Sequence, residues 1–486
     1  MAKTAGVRGG LRLDAHKQRS TAQPLRAASP AEHLVLPLDQ HAGAPAVPIA
    51  GVGDRVHLGQ PIAEPGGAIS AWLHSPVSGT ITAIEPRPAA KHFGAPSRSI
   101  VIANDGRDER FAATAAPSSF EQLSPQELRE YIALGGIVGL GGAVFPTDVK
   151  LDASAAGLEP RILLNGVECE PYISCDDMLM RERAHDIVLG TCILLHALTA
   201  KSCIIAVEDD TPQAAQALRD AIDDRHDERI QIVTVPRVYP SGGQRQLIAT
   251  VFGVEVPFDA LPTDIGILCQ NVGTAAAITH WVRDGQPLVS RIVTVTGDGV
   301  EKPANLDVRL GTAIANLIGD CGGYTPRMTR LILGGSMMGT ALPHDDLPVT
   351  KATNCVVAAS RLDLQPRSAE MPCIRCGNCS EVCPAMLLPQ QLHWYVQGQD
   401  LPALETHGLM DCIECGCCDY VCPSQIPLTE RFRETKPVLL RERIGRASAR
   451  AARSAFEART ARLERLEAEQ RAALTKKRQA YSDKSS

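Results

Sequence analysis

Hydrophobic and polar positions change their rhythm several times along this chain. In residues 34–112 apolar positions alternate with polar ones in short runs cut by Gly and Pro. Val52-Gly-Asp-Arg-Val-His-Leu-Gly-Gln-Pro-Ile-Ala63 and His74-Ser-Pro-Val-Ser-Gly-Thr-Ile-Thr-Ala-Ile84 both keep a two-residue period. Alternation with such turn punctuation predicts the strands of a small all-β domain. Residues 113–290 alternate helix-like with strand-like segments, which predicts an α/β domain. Ser124-Pro-Gln-Glu127 reads as a helix start, with Ser as N-cap, Pro at the first helical position and Glu at the third. Strands are predicted over 161–165, 203–207 and 231–235, and one helix over 180–199.

Residues 291–345 begin with Arg291-Ile-Val-Thr-Val-Thr-Gly297, continue through a helical stretch at 311–318 and return to a strand at 330–334. That compact β–α–β order predicts a β-grasp module. Residues 346–370 read as a linker and 371–436 as a cysteine-rich domain. Residues 437–486, rich in Ala, Arg and Glu, form a basic tail that is helical or disordered. With a polar segment at 1–33, the chain is expected to be an α/β multidomain protein.

Composition sharpens this reading. The chain has 486 residues, enough for several domains, and 44% hydrophobic content supplies their cores. The opening residues lack the apolar centre of a signal peptide, and no apolar run approaches the ~18 residues of a membrane-spanning helix. A soluble or peripheral protein in a reducing compartment is expected. The net charge is −6, yet residues 441–486 hold 13 Lys/Arg against 6 Asp/Glu, leaving −13 for residues 1–440. An acidic body with a basic tail argues against nucleic acid as a partner.

Eight of the 16 cysteines stand in two runs of one spacing, Cys373-x2-Cys376-x2-Cys379-x3-Cys383-Pro and Cys412-x2-Cys415-x2-Cys418-x3-Cys422-Pro. This is the spacing of bacterial two-cluster ferredoxins, in which the fourth cysteine ligates the other cube. Cys373, Cys376, Cys379 and Cys422 are therefore expected to hold one [4Fe–4S] cluster, and Cys412, Cys415, Cys418 and Cys383 the other. Structural zinc is the rival, but zinc favours paired C-x2-C knuckles. Cys417 reads as a spare thiol. The 28 residues between Cys383 and Cys412 leave room for two short helices, so a helical ferredoxin domain is expected.

A second constellation opens with Gly135-Gly-Ile-Val-Gly139-Leu-Gly141-Gly142-Ala-Val-Phe145-Pro-Thr-Asp-Val-Lys150. Such glycine density lets backbone N–H groups converge on an anion, with Lys150 adding charge. It is not a dinucleotide fingerprint: Val144 occupies the last glycine position, and the loop follows a helix instead of a strand. Asn165-Gly-Val-Glu168-Cys-Glu170-Pro-Tyr172, Asp176-Asp177, Tyr239-Pro-Ser-Gly-Gly243-Gln244 and Gln270-Asn271-Val-Gly-Thr274 add polar groups at segment ends. Together they read as one site.

These motifs carry two resemblances. The text of residues 52–84 resembles the lipoyl/biotinyl hammerhead domain, here unmodified, because its hairpin, residues 64–71, has no lysine. In order and content the whole chain resembles the flavin- and NADH-binding subunit of respiratory complex I and, more closely, the RnfC family of Rnf electron-transport complexes. The resemblance implies an FMN-binding domain in which Gly139, Gly141, Gly142, Lys150, Asn165, Glu168, Asn271 and Thr274 line FMN, while Phe145 and Glu170 meet NADH. Val138, Leu140, Val144, Val167 and Gln244 depart from the complex I pattern. The β-grasp module is then of the SLBB type.

The implied protein is an NADH-linked oxidoreductase subunit. Electrons would pass between NADH, FMN and two [4Fe–4S] clusters to membrane subunits that couple them to ion translocation, or would keep a redox regulator reduced. Its partners would be the other subunits, with ferredoxin or flavodoxin as further carriers, and its place the cytoplasmic side of the bacterial inner membrane. No catalytic acid, base or nucleophile is required. A ferredoxin-type adaptor without flavin and a diaphorase subunit of a soluble oxidoreductase remain as alternatives.

Overall fold

The alternating text of the first hundred residues folds as two small sheets packed face to face. A computed structural model describes residues 6–90, 94–112, 117, 119–155, 158–258, 260–364 and 368–482. Strands His33–Pro37, Pro96–Asn104, Gly79–Pro88 and Arg55–Val56 form one sheet, and Val47–Pro48, Pro61–Glu64 and Leu73–His74 the other. Leu34, Leu36, Ile62, Ile81, Ile100 and Ile102 are buried between them, as the two-residue period requires. The lysine-free hairpin is closed: the Gly66 amide donates to Ser70 Oγ, and that hydroxyl donates to the carbonyl of Ala44.

The α/β domain is built on four parallel strands. Arg161–Gly166 and Cys203–Glu208 lie at its centre, Ile230–Val235 on one edge and Ile267–Asn271 on the other. Chain order therefore runs outward one way from 161–166 and then jumps to its opposite side. The predicted capping box is present: the Glu127 amide donates to Ser124 Oγ and the Ser124 amide to the Glu127 carboxylate, starting the helix Pro125–Leu134. The single helix predicted over 180–199 is instead two, Cys175–Glu182 and Ala184–Ala197. They break at Arg183, whose backbone leaves helical angles and whose guanidinium reaches Asp307 at 2.8 Å.

The β-grasp module contributes a six-stranded sheet in the spatial order Arg26–Ala27, Ala304–Arg309, Ser290–Thr296, Cys355–Ser360, Met328–Leu333, Thr340–Leu342. This sheet corrects two expectations. The segment read as a linker, 346–370, holds one of its central strands: Cys355–Ser360 pairs with both 290–296 and 328–333. The polar N-terminal segment supplies an edge strand. The β-grasp and hammerhead residues also bury one shared core, which holds Leu34, Ile81 and Ile102 together with Val293, Leu306 and Val356.

In the cysteine-rich domain the short helices Asn378–Glu381, Pro389–Gln397, Leu401–Thr406 and Cys417–Tyr420 pack around Leu392, Leu404, Leu409 and Phe432. The tail is helical. One helix, Leu428–Ser482, starts inside this domain and passes through Pro437, with residues 447–480 exposed. Among the described residues no helix is long and apolar enough to cross a membrane.

Candidate functional site

The polar residues singled out at segment ends converge where the α/β topology reverses. Asn165 is the last residue but one of the 161–166 strand, Asn271 ends the 267–271 strand, and the two are paired in register. In open parallel sheets, ligands bind outside the carboxyl ends of the strands at this point of reversal. Asn165 donates to the carbonyl of Gly242 at 2.9 Å and accepts from the Val167 amide, fixing the Tyr239–Gly243 loop over the strand ends. Asn271 accepts from the Gly273 amide as the N-cap of helix Val272–Asp284 and donates to Asp176 at 2.6 Å.

The glycine loop covers this point. A Cβ on Gly141 would lie 3.4 Å from Asn271 Cβ, so the loop rests directly on the strand end. The Gly139 amide donates to the Phe145 carbonyl, the Val144 amide to the Gly139 carbonyl, and the Leu140 amide to the buried hydroxyl of Thr274 at 3.0 Å. The next three residues, Gly141, Gly142 and Ala143, are exposed, and their amides make no hydrogen bond among the described residues. Gly142 has φ +105°, and the space beside it is open. Consecutive unused N–H groups turned by a positive φ are an anion-binding concavity. Val144, which replaces the expected glycine, nevertheless adopts φ +43°. Lys150 lies below the loop: its ammonium donates to the Cys269 carbonyl at 2.9 Å, and burial lowers its pKa.

The two glutamates take different directions. Glu168 caps helix 175–182, accepting from the Asp176 amide at 2.9 Å, and its carboxylate lies 3.7 Å from Lys17. Burial, then Glu168, pushes Asp176 up to about 7. Glu170 turns toward the β-grasp module, where it accepts from the amides of Met337 and Met338 at 2.7 and 3.0 Å. The structure thus brings Gly139, Gly141, Gly142, Asn165, Glu168, Asn271 and Thr274 near the carboxyl ends of the 161–166 and 267–271 strands. Phe145 is half-buried on the same loop, whereas Glu170 is occupied by the 334–339 loop.

Sequence reading gave no role to Lys17, Glu208, Arg291 or Lys351, all of them buried here. Lys17 lies 3.6 Å from Glu208, at the end of the 203–208 strand. The available signal was a charge standing inside or at the end of an apolar run, as at Arg291 and Glu208.

The cysteine runs show an internal twofold likeness. Each cysteine of the second run stands 39 positions after its counterpart, 373 to 412. Positive φ recurs at the same offset, at Arg375 and Glu414, Gly377 and Gly416, and Met386 and Gln425. Cys383 lines one cavity with Cys412, Cys415, Cys417 and Cys418. At the other end, the Met371 amide donates to the Ser424 carbonyl and Ser424 Oγ to the Pro372 carbonyl, which ties the residues before Cys373 to the loop that follows Cys422. Thiols gathered around one space fit an iron–sulfur cube, whose ligands are thiolates.

The two groups of cysteines are placed differently. Cys415 and Cys417 are buried in the core that also holds Val167, Cys169 and Tyr239 of the α/β domain. Tyr239 donates its hydroxyl to the Cys415 carbonyl at 2.6 Å. Cys376 of the other group is exposed.

Comparison with known proteins agrees with this order of parts. Residues 5–107 match the RnfC barrel sandwich hybrid domain, 132–280 the Nuo51 FMN-binding domain, 292–341 the SLBB domain and 372–426 the 4Fe-4S dicluster domain. Two solved chains of NAD+-reducing [NiFe]-hydrogenase, in the H2-reduced and air-oxidized states, are 17% and 18% identical with TM-scores of 0.47 and 0.48; each comparison covers 66% of this chain and 63% of that one. The C subunit of an ion-translocating oxidoreductase complex from Pseudomonas aeruginosa is 47% identical over 96% of this chain, and its namesake from Vibrio cholerae 42% over 95%. The chain spans 59% of the length of each of these relatives. Over that span it belongs to the RnfC family, the C subunits of ion-translocating oxidoreductase complexes.

Proposed function

We propose that this chain is the electron-input subunit of an ion-translocating oxidoreductase complex, taking electrons from NADH at a flavin site and delivering them through two [4Fe–4S] clusters to membrane subunits. The observation that carries this is the continuous core joining Cys415 to the α/β domain through Tyr239. It puts one cluster site directly against the domain with the anion-binding loop. FMN, when bound, converts the two-electron chemistry of a hydride donor into one-electron traffic.

The residues present fit that group. The amides of Gly141, Gly142 and Ala143 would take its phosphate, helped by the N-terminus of helix 272–284 behind them. Asn165, Glu168, Asn271 and Thr274 set the shape of the mouth, and Lys150 supports it from below. Phe145 would stand beside the nicotinamide nucleotide. Glu170, held by the 334–339 loop, would reach its ribose only if that loop yields. The chain would sit on the cytoplasmic face of the membrane, held by partner subunits.

Anaerobic purification tests the proposal. Denaturation should release FMN along with iron and sulfide, and NADH should bleach the flavin band before the cluster absorbance. Release of iron and sulfide alone would leave an adaptor without flavin and overturn the reading.

A further inference from the structure

Lys351 is fully buried and has no carboxylate partner among the described residues. Its Nζ donates to two carbonyls, Trp72 at 2.8 Å and Gly136 at 2.7 Å. Burial pulls its pKa down to about 7, and a buried amine is costly unless its hydrogen bonds are made, so its presence needs a reason. The two carbonyls belong to different domains, Trp72 to the hammerhead and Gly136 to the start of the glycine loop. The two backbones lie close: a Cβ on Gly136, whose φ is +63°, would lie 2.5 Å from the Trp72 oxygen. By bridging the two carbonyls, Lys351 ties the start of the glycine loop to the hammerhead.

A second buried cation acts on the same loop. The Arg291 guanidinium donates to the Leu140 carbonyl at 3.3 Å and also to the carbonyl of Lys351 itself. The carbonyls at 136 and 140 are thus drawn inward, and the Leu140 amide is taken by Thr274. Next in the chain comes the row of unused amides from Gly141 to Ala143. None of this depends on the 137–146 loop alone, since Lys351 and Arg291 come from the β-grasp side and Trp72 from the hammerhead.

We infer that Lys351 and Arg291 are positioning residues, which hold the carbonyls of the glycine loop inward and so present its amides to an anionic ligand. This rests on the flavin reading of the loop. The test uses the full chain with both clusters in place. It measures FMN affinity by fluorescence quenching, amide hydrogen exchange over 137–145, and EPR of the reduced clusters.

Lys351→Met should weaken FMN about tenfold or more and speed exchange in the loop, with both EPR signals unchanged. Arg291→Met should do the same, and Arg291→Lys, which keeps the charge, should recover part of the loss. FMN affinity within about twofold of the parent in both Met variants, with unchanged exchange, would overturn the inference. If the parent takes no FMN, the flavin reading fails by itself, and faster or unchanged loop exchange in the Met variants then decides the clamp. If Lys351→Met does not fold, Arg291→Lys decides alone: slower exchange or exchange equal to the parent counts against the clamp, faster exchange for it.

Discussion

Glu208 shows how much one side chain can reveal. Both of its oxygens are buried and receive no hydrogen bond among the described residues, and the Lys17 ammonium is 3.6 Å away. Burial is the largest influence and pushes its pKa up to about 7; Lys17 acts the other way and loses. An unfolded glutamate titrates near its ordinary value of 4.5. Between those values the folded chain holds more protons than the unfolded one, so stability falls as pH rises through the window. Asp176, also raised to about 7, acts in the same sense. Their share of the stability is therefore lost from about pH 5 to about pH 8. Buried His74, held down to about 3, and buried Lys351, held down to about 7, contribute in the opposite sense, so the effect is read as a difference between parent and variant. Relative to the parent, Glu208→Gln should gain about 1 kcal/mol or more at the alkaline end of the window. A difference between the two melting curves that does not change with pH would refute the assignment.

At the level of elements, the two cysteine runs illustrate what a sequence makes legible. Repetition of the spacing implied a repeated loop, and the structure repeats even the left-handed residues Gly377 and Gly416 at the head of each short helix. Glycine adopts that conformation without the Cβ penalty other residues meet. The crossover expected of the fourth cysteines has a spectroscopic consequence. Cys383→Ser, although in the first run, should remove or shift the EPR signal of the cluster held mainly by the second run, and Cys422→Ser the signal of the other. Each substitution disturbing only its own run's cluster would refute the crossover. The missed elements share a cause: they are decided by distant contacts. The helix predicted over 180–199 breaks where Arg183 meets Asp307 of the β-grasp sheet. The strand Cys355–Ser360 lies in an apparent linker because its neighbours, 290–296 and 328–333, come much earlier in the chain. Local pattern carries the capping box of Ser124 and the glycine loop, whose determinants lie within a few residues of each other. It carries nothing about Glu170, whose partners Met337 and Met338 are 167 and 168 positions away.

The whole molecule gives the two groups of cysteines unequal positions, and the proposed function then predicts a direction of traffic. Cys415 is buried against the α/β domain, and the hydroxyl of Tyr239 closes on its carbonyl. The opposite group opens to the surface at Cys376, flanked by exposed Ile374 and Met371. Electrons entering at the glycine-loop mouth would meet the buried site first and leave through the exposed one. The order of events in two variants separates this route from its reverse. In Cys415→Ser, NADH should bleach the flavin while the remaining cluster stays oxidised on the timescale of normal turnover. In Cys376→Ser, NADH should still reduce the buried cluster at the parent rate, while transfer to a one-electron acceptor docked from outside is lost. Parent-like reduction of the exposed cluster in Cys415→Ser would mean that the flavin domain feeds the exposed site directly, and the buried cluster would then be a side branch instead of the first stop.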